Sequence, residues 1–276
     1  MLTPRDVARL LADRDLAPRK SAGQNFVVDP NTVRRIVAAA ELDPDDTVVE
    51  IGPGLGSLTL GLLDTVRRVV AVEIDAGFVD ALVEVLGDHP DVEVVHADAM
   101  RVRLGDLVDG GPARLVANLP YNLATPLLFH ALEDPAITDA FVMVQREVGE
   151  RWAATVGDRA YAGVSMKLAL FAEVKVVMAI PRTVFHPVPN VDSVMVRVRR
   201  RDDAPTGAEA VALTALSDAA FSQRRKTLRN TLRTVVAPEI LTPAAHAAGI
   251  DLSARAETLG PDDLRRLYAA IGAASA

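Results

Sequence analysis

Two short stretches of this chain carry residue types that could do chemistry. The first is Asn118-Leu119-Pro120-Tyr121, which closes the apolar run Arg114-Leu115-Val116-Ala117. A carboxamide, a peptide carbonyl and an aromatic ring at the mouth of a strand can hold a planar amino group, such as the N6 of adenine. That amine is a poor nucleophile because its lone pair is delocalised into the ring. The Asn118 side-chain oxygen and a nearby backbone carbonyl, that of Leu119, can each accept one N6–H bond. The nitrogen is thereby drawn toward tetrahedral geometry. Tyr121 offers a face for a base to stack on, typically worth ~1–3 kcal/mol. Pro120 fixes the turn and has no N–H to compete with the base for acceptors.

The second stretch, Val48-Val49-Glu50-Ile51-Gly52-Pro53-Gly54-Leu55-Gly56-Ser57, reads as a strand, a glycine-rich turn and the start of a helix. Gly52 and Gly54 let a ligand approach bare backbone, and the helix start offers unpaired N–H groups to an anion. Glu73 follows Gly52 by 21 residues, at the end of the next strand. A carboxylate there can accept hydrogen bonds from both hydroxyls of a ribose. Asp98, just past the third strand, is placed to accept from the exocyclic amine of a cofactor's adenine, or to cap the following turn. The constellation suits either a dinucleotide or S-adenosylmethionine. The dinucleotide fingerprint wants Gly or Ala at position 57, where this chain has Ser.

A second aromatic turn, Phe185-His186-Pro187-Val188-Pro189-Asn190-Val191-Asp192, precedes a later strand. Phe185 could close the other face of a flipped base, or staple the turn into the core. The five histidines show no metal-ligand spacing, so no metal is expected and His186 reads as structural.

These residues must be positioned by a scaffold, and the pattern supplies one. Strands are predicted at 47–51, 69–74, 92–96, 115–118 and 140–145, with helices at 58–65, 78–86 and 125–133. Thr3-Pro4 and Asp29-Pro30 read as helix starts. The strands are near-continuous Val/Ile/Ala/Leu runs, the signature of a doubly wound α/β sheet covered on both faces. Segments 165–180 and 193–199 alternate more and read as added antiparallel strands. Beyond the linker Asp202-Asp203-Ala204-Pro205-Thr206-Gly207, the sequence is Ala-, Leu- and Arg-rich with helical spacing. The expected division is 1–203 for a cofactor-binding domain and 204–276 for a small all-helical one.

With 276 residues the chain can hold both domains. It contains no cysteine, which excludes disulfides and thiolate metal sites and points to a cytoplasmic location. Neither a signal peptide nor a run approaching the ~18 apolar residues of a membrane span is present, so no membrane is expected. The net charge of −7 conceals a segregation: residues 181–235 carry about +5 and the remainder about −12. Binding to a polyanion depends on such a local basic surface. Arg224, Arg225 and Lys226 lie within it and are candidate RNA-binding residues.

The quoted stretches occur in a fixed order together with Gly23-Gln24-Asn25-Phe26, Val72-Glu73-Ile74-Asp75, Gln145-Arg146-Glu147-Val148 and Arg224-Arg225-Lys226-Thr227-Leu228. As an ordered set they closely resemble the small-subunit ribosomal RNA adenine N6,N6-dimethyltransferases. The resemblance implies a class I (Rossmann-like) methyltransferase fold with a C-terminal helical domain and S-adenosyl-L-methionine as donor. It implies dimethylation of two adjacent adenosines in a hairpin loop near the 3′ end of the small-subunit RNA. The work would be done by a monomer within the 30S particle, late in assembly. In such enzymes the donor is contacted from the positions that here are Asn25, Val27, Gly52, Glu73, Asp98 and Asn118; the family commonly has Leu in place of Val27. A related family methylates large-subunit RNA, but its clamp more often reads Asn-Ile-Pro-Tyr and it lacks a clear Arg-Arg-Lys-Thr segment. A non-catalytic RNA-binding assembly factor and a nicotinamide-dependent oxidoreductase are the other readings open to this fold.

Overall fold

The computed structural model describes residues 1–18 and 24–275. Residues 19–23, which include Gly23 of the Gly-Gln-Asn-Phe motif, lie outside them. Helix α1 (Pro4–Asp13) begins on Thr3, whose hydroxyl accepts from the Asp6 N–H while the Asp6 carboxylate accepts from the Thr3 N–H at 3.0 Å. After β1 (Phe26–Val27) comes α2 (Pro30–Ala40). Its cap Asp29 accepts from the backbone of Asn31 and Thr32 and from the Thr32 hydroxyl at 2.6 Å, and Pro30 occupies the first turn, where its missing N–H costs nothing. An alternation follows: β2 (Thr47–Ile51), α3 (Ser57–Leu63), β3 (Arg68–Glu73), α4 (Ala76–Leu86), β4 (Val92–His96), β5 (Ala113–Asn118), α5 (Ala124–Glu133) and β6 (Ile137–Gln145). Next are α6 (Arg146–Trp152), α7 (Gly163–Phe171), β7 (Ala172–Ile180), β8 (Phe185–His186) and β9 (Ser193–Arg200). The chain closes with α8 (Gly207–Phe221), α9 (Leu228–Leu232), α10 (Pro238–Ala248) and α11 (Pro261–Ser275).

Seven strands form one sheet in the order β4-β3-β2-β5-β6-β9-β7. From β4 through β6 neighbouring strands are parallel, and β9 runs antiparallel to β6. Val69, Val70, Ala71 and Val72 are all no more than 1% exposed, which is why the strands read as unbroken apolar runs. On one face Val48, Val69 and Val116 meet Val33 and Ile36 of α2 and Leu58 and Leu62 of α3. Ala71, two residues after Val69 and so on the same face, meets Leu82 and Leu86 of α4. Val49, Val70 and Leu115, on the opposite face, are fully buried as well. The doubly wound α/β class expected from the sequence is the one observed.

Strand β2 is the centre of the topology. The chain leaves it first toward β3 and β4, then returns to place β5 on its other side. Such a reversal opens a crevice beyond the carboxyl ends of the two strands, because their connections depart in opposite directions. The glycine turn follows β2 and Asn118 ends β5. Both chemistry-bearing stretches therefore lie at this crevice.

The chain divides into two compact units: Met1–Gly149 with Lys175–Arg199, and Glu150–Val174 with Arg200–Ala276. The second is not the uninterrupted tail that composition suggested. Met166 and Leu170 of α7 share a core with Leu213 and Leu216 of α8, Leu228 and Leu232 of α9, and Leu264 and Leu267 of α11. Residues 163–171 also correct the expectation of a strand over 165–180. They form a helix buried on most of its circumference, and a helix covered all round loses the 3.6-residue contrast that reveals one. Only 172–180 is extended. No described helix is long and apolar enough to cross a membrane.

The Asp29 cap serves α2, whose inner face anchors one side of the sheet. Asp29→Ala should lower stability by about 1 kcal/mol, read as a shifted urea midpoint with unchanged slope. An unshifted midpoint would show that the cap contributes nothing.

Candidate active site

Beyond Ile51 the backbone turns through Gly52 and Gly54, at φ of +69° and +56°. A side chain at Gly54 would place its Cβ 2.4 Å from the Phe26 ring, so β1 lies directly on the turn. At Gly52 the Cβ position is 3.9 Å from Pro120 Cδ. The glycine turn and the Asn-Leu-Pro-Tyr stretch are thus at van der Waals distance. They wall one cleft of about 260 Å³, which Asn25, Gly52, Gly54, Glu73, Asp98 and Asn118 all line.

Glu73 ends β3 and is buried. One carboxylate oxygen accepts from the Gly54 N–H at 3.1 Å, and the other from the Ile74 and Asp75 N–H groups at 3.0 and 3.1 Å. Burial nonetheless holds its pKa above the usual carboxylate range. Asp98 is half-buried; it accepts from the Met100 N–H at 3.0 Å and pairs with Arg101 at 3.3 Å. It caps its turn and lines the cleft at once.

Asn118 carries the most informative contact. Its Nδ2 donates to the Asn25 carbonyl at 2.7 Å, while its Oδ1 is buried and has no partner among the described residues. An unmet buried acceptor costs about 1–3 kcal/mol and marks a site that expects a donor. Leu119 is buried and its N–H donates to the Met143 carbonyl at 3.2 Å, which fixes the peptide between strand and turn. The Pro120 carbonyl accepts from Leu123 N–H at 3.0 Å. The Tyr121 hydroxyl meets Ser193 Oγ at 2.6 Å, and burial raises the phenol's pKa further above neutrality.

Four expected site residues, Val27, Leu119, Tyr121 and Phe185, are not among those that line the cleft, although Leu119 and Tyr121 adjoin Asn118, Pro120 and Asn122, which do. Val27 and Phe185 are register partners across the β1–β8 ribbon, and both are buried in the core beneath the sheet. For Phe185 this is the second of its two expected roles, a staple of the turn into the core; Val27, expected at the donor from the family resemblance, packs in the same core. Arg224, Arg225 and Lys226 belong to the second unit, in an exposed turn between α8 and α9. The sequence reading did not single out Ile74, Met100, Asn122 or Leu123, which also line the cleft. Each lies within two residues of a motif residue just past a strand end, and that position was the available signal.

The residues present fit an adenosyl donor. A bare glycine turn, an acidic strand end at Glu73, a second carboxylate at Asp98 and an unmet acceptor on Asn118 gather around one cleft. This sheet, reversal point and cleft define the Rossmann-like methyltransferase class. A family described as "Ribosomal RNA adenine dimethylase" matches residues 16–272, and the chain belongs to it. Among relatives, the "Ribosomal RNA small subunit methyltransferase A" of Thermobifida fusca is 52% identical over 97% of this chain and 95% of its own. That of Streptomyces coelicolor is 46% identical over 97% and 96%. Among solved structures, the 23S rRNA methyltransferase ErmE superposes with TM-score 0.70 at 29% identity, over 90% of this chain and 99% of its own. A dimethyladenosine transferase from Plasmodium falciparum gives 0.75 at 24% identity, over 91% and 98%, which bears on the fold alone.

Below the turn, Glu50 is buried and one of its carboxylate oxygens has no partner among the described residues. Burial pushes this carboxyl up to about 8, with Glu73 acting in the same direction. A carboxyl raised in the folded state keeps a proton that the unfolded chain has released. Its contribution to stability is therefore fully present below the ordinary carboxylate value and is lost as pH rises to about 8. Glu50→Gln should flatten that decline, measured by urea unfolding of the ligand-free protein at about pH 5 and about pH 8. A decline as steep in the variant as in the parent would remove Glu50 as its source.

Proposed function

We propose that this chain transfers methyl groups from S-adenosylmethionine to the N6 of two adjacent adenosines in a 3′-terminal hairpin loop of small-subunit ribosomal RNA. The reading includes action by a cytoplasmic monomer on the 30S particle late in its assembly. The observation that carries it is the buried, unmet Oδ1 of Asn118, presented by a carboxamide whose other end is already committed.

Asn118 Oδ1 accepts one N6–H of the extruded adenine, and the Leu119 carbonyl takes the other. Two acceptors flanking the amine pull its lone pair out of conjugation with the ring. Tyr121, neutral at working pH, provides the stacking face. Glu73 binds the ribose of the donor, and Asp98 its adenine amine. S-adenosylmethionine supplies an electrophilic methyl on a positively charged sulfur. The protein's own contribution is placement and a preorganised set of acceptors. Arg224, Arg225 and Lys226 grip RNA phosphates.

The small-subunit assignment is supported by the names of the relatives at 52% and 46% identity, against 29% for ErmE. The clamp itself reads with Leu119 rather than Ile.

Undermethylated small subunits incubated with the protein and labelled donor should yield N6,N6-dimethyladenosine near the RNA 3′ end by mass spectrometry. If large subunits alone are methylated, the substrate assignment is wrong. If donor binds by calorimetry and no RNA is methylated, the chain is a binding factor. Asn118→Ala should reduce methyl transfer by about 100-fold or more, the scale of losing one preorganised polar contact, with the far-ultraviolet spectrum unchanged. Affinity for the subunit should fall steeply with salt, and Arg224→Gln/Arg225→Gln should shallow that dependence by about 2 in log–log slope. A slope untouched by the double change would rule these side chains out as phosphate contacts.

A further inference from the structure

Ser193 opens β9 and is fully buried. Its Oγ lies 2.6 Å from the Tyr121 hydroxyl. A buried hydroxyl with no partner costs about 1–3 kcal/mol, and here the partner belongs to the tetrapeptide that forms the clamp. Both ends of the contact are held. On the serine side, Ser193 pairs with Gln145 across β6 and β9. Its neighbour Asp192 is tied at three points. The Asp192 carbonyl accepts from the Arg146 N–H at 3.0 Å, and its carboxylate accepts from the Arg182 N–H at 3.0 Å and from the Arg146 guanidinium at 3.2 Å. On the tyrosine side, Pro120 restricts the preceding backbone and its carbonyl closes a turn with Leu123. Pro120 and Asn122, which flank Tyr121, line the cleft.

We propose that Ser193 is a positioning residue, which through the Tyr121 hydroxyl fixes the plane of the ring on which the target adenine stacks. An untethered aromatic side chain surrenders rotamer freedom when a base docks on it, whereas a tethered one has already done so. The inference rests on the RNA adenine reading given above. It adds to it a residue that touches neither RNA nor donor.

The test is steady-state methyl transfer to undermethylated small subunits by the wild type, Ser193→Ala, Tyr121→Phe and the double variant. Donor affinity is measured in parallel by calorimetry. Each single change should lower kcat/KM for the subunit by roughly 3- to 10-fold, the scale of one hydrogen bond, and leave donor affinity unchanged. The double variant should be no worse than either single one, because both remove the same bond. A Ser193→Ala enzyme as efficient as wild type would overturn the proposal, as would losses that multiply or an equal loss of donor affinity. Should Ser193→Ala fail to fold, Tyr121→Phe breaks the same contact from the turn and decides alone, by the same criteria. A wild type that methylates no RNA sinks both readings, whereas an active wild type with unaffected variants sinks only this one.

Discussion

The Asn118 carboxamide has one donating and one accepting end, and the Asn25 carbonyl 2.7 Å away can take only the donor. That contact settles which way the side chain faces, and it leaves Oδ1 enclosed and unmet. The β1–β8 ribbon holds this pair in register. Asn25 immediately precedes β1, and β1 is held by its pairing with β8, where Val27 lies opposite Phe185. Neither of those residues reaches the cleft, yet their burial keeps Asn25 in place and Phe26 against Gly54. A short ribbon thus couples the two ends of the crevice.

The electrostatics of the two buried acids, Glu73 and Glu50, follow from burial rather than from ion pairing. Glu73 receives three backbone N–H groups and still sits above the usual carboxylate range, because the loss of water outweighs them. Glu50 lies deeper and receives less compensation. Two acids near each other beneath a turn left bare at Gly52 and Gly54 give the region a reserve of acceptor oxygens without a full complement of charge. A hydroxyl-rich, cationic ligand suits such surroundings.

Much of this was legible in the residues, for identifiable reasons. The parallel strands appeared as unbroken apolar runs because both faces are covered. Asn118 and Glu73 end their strands as the pattern predicts, and a residue ending such a strand has one place to be, at the carboxyl edge. What was not legible has a different cause. Helix α7 reads as a strand in the sequence because it is buried nearly all round and shows no polar stripe. For Phe185 the sequence leaves open whether it walls a ligand or staples the core, because an apolar residue inside a motif looks the same whether it touches a ligand or supports what does. The bond between Tyr121 and Ser193 spans 72 residues and leaves no local trace.

The second unit is assembled from two stretches of chain separated by the strands β7 to β9. Met166 and Leu170 leave the ribosome well before Leu213, Leu264 and Leu267, the side chains that will enclose them. During synthesis α7 must therefore wait with a bare greasy flank, and a prematurely terminated chain would carry that flank permanently. For such a chain the sticky surface, more than any missing contact with a substrate, would set its fate in the cell.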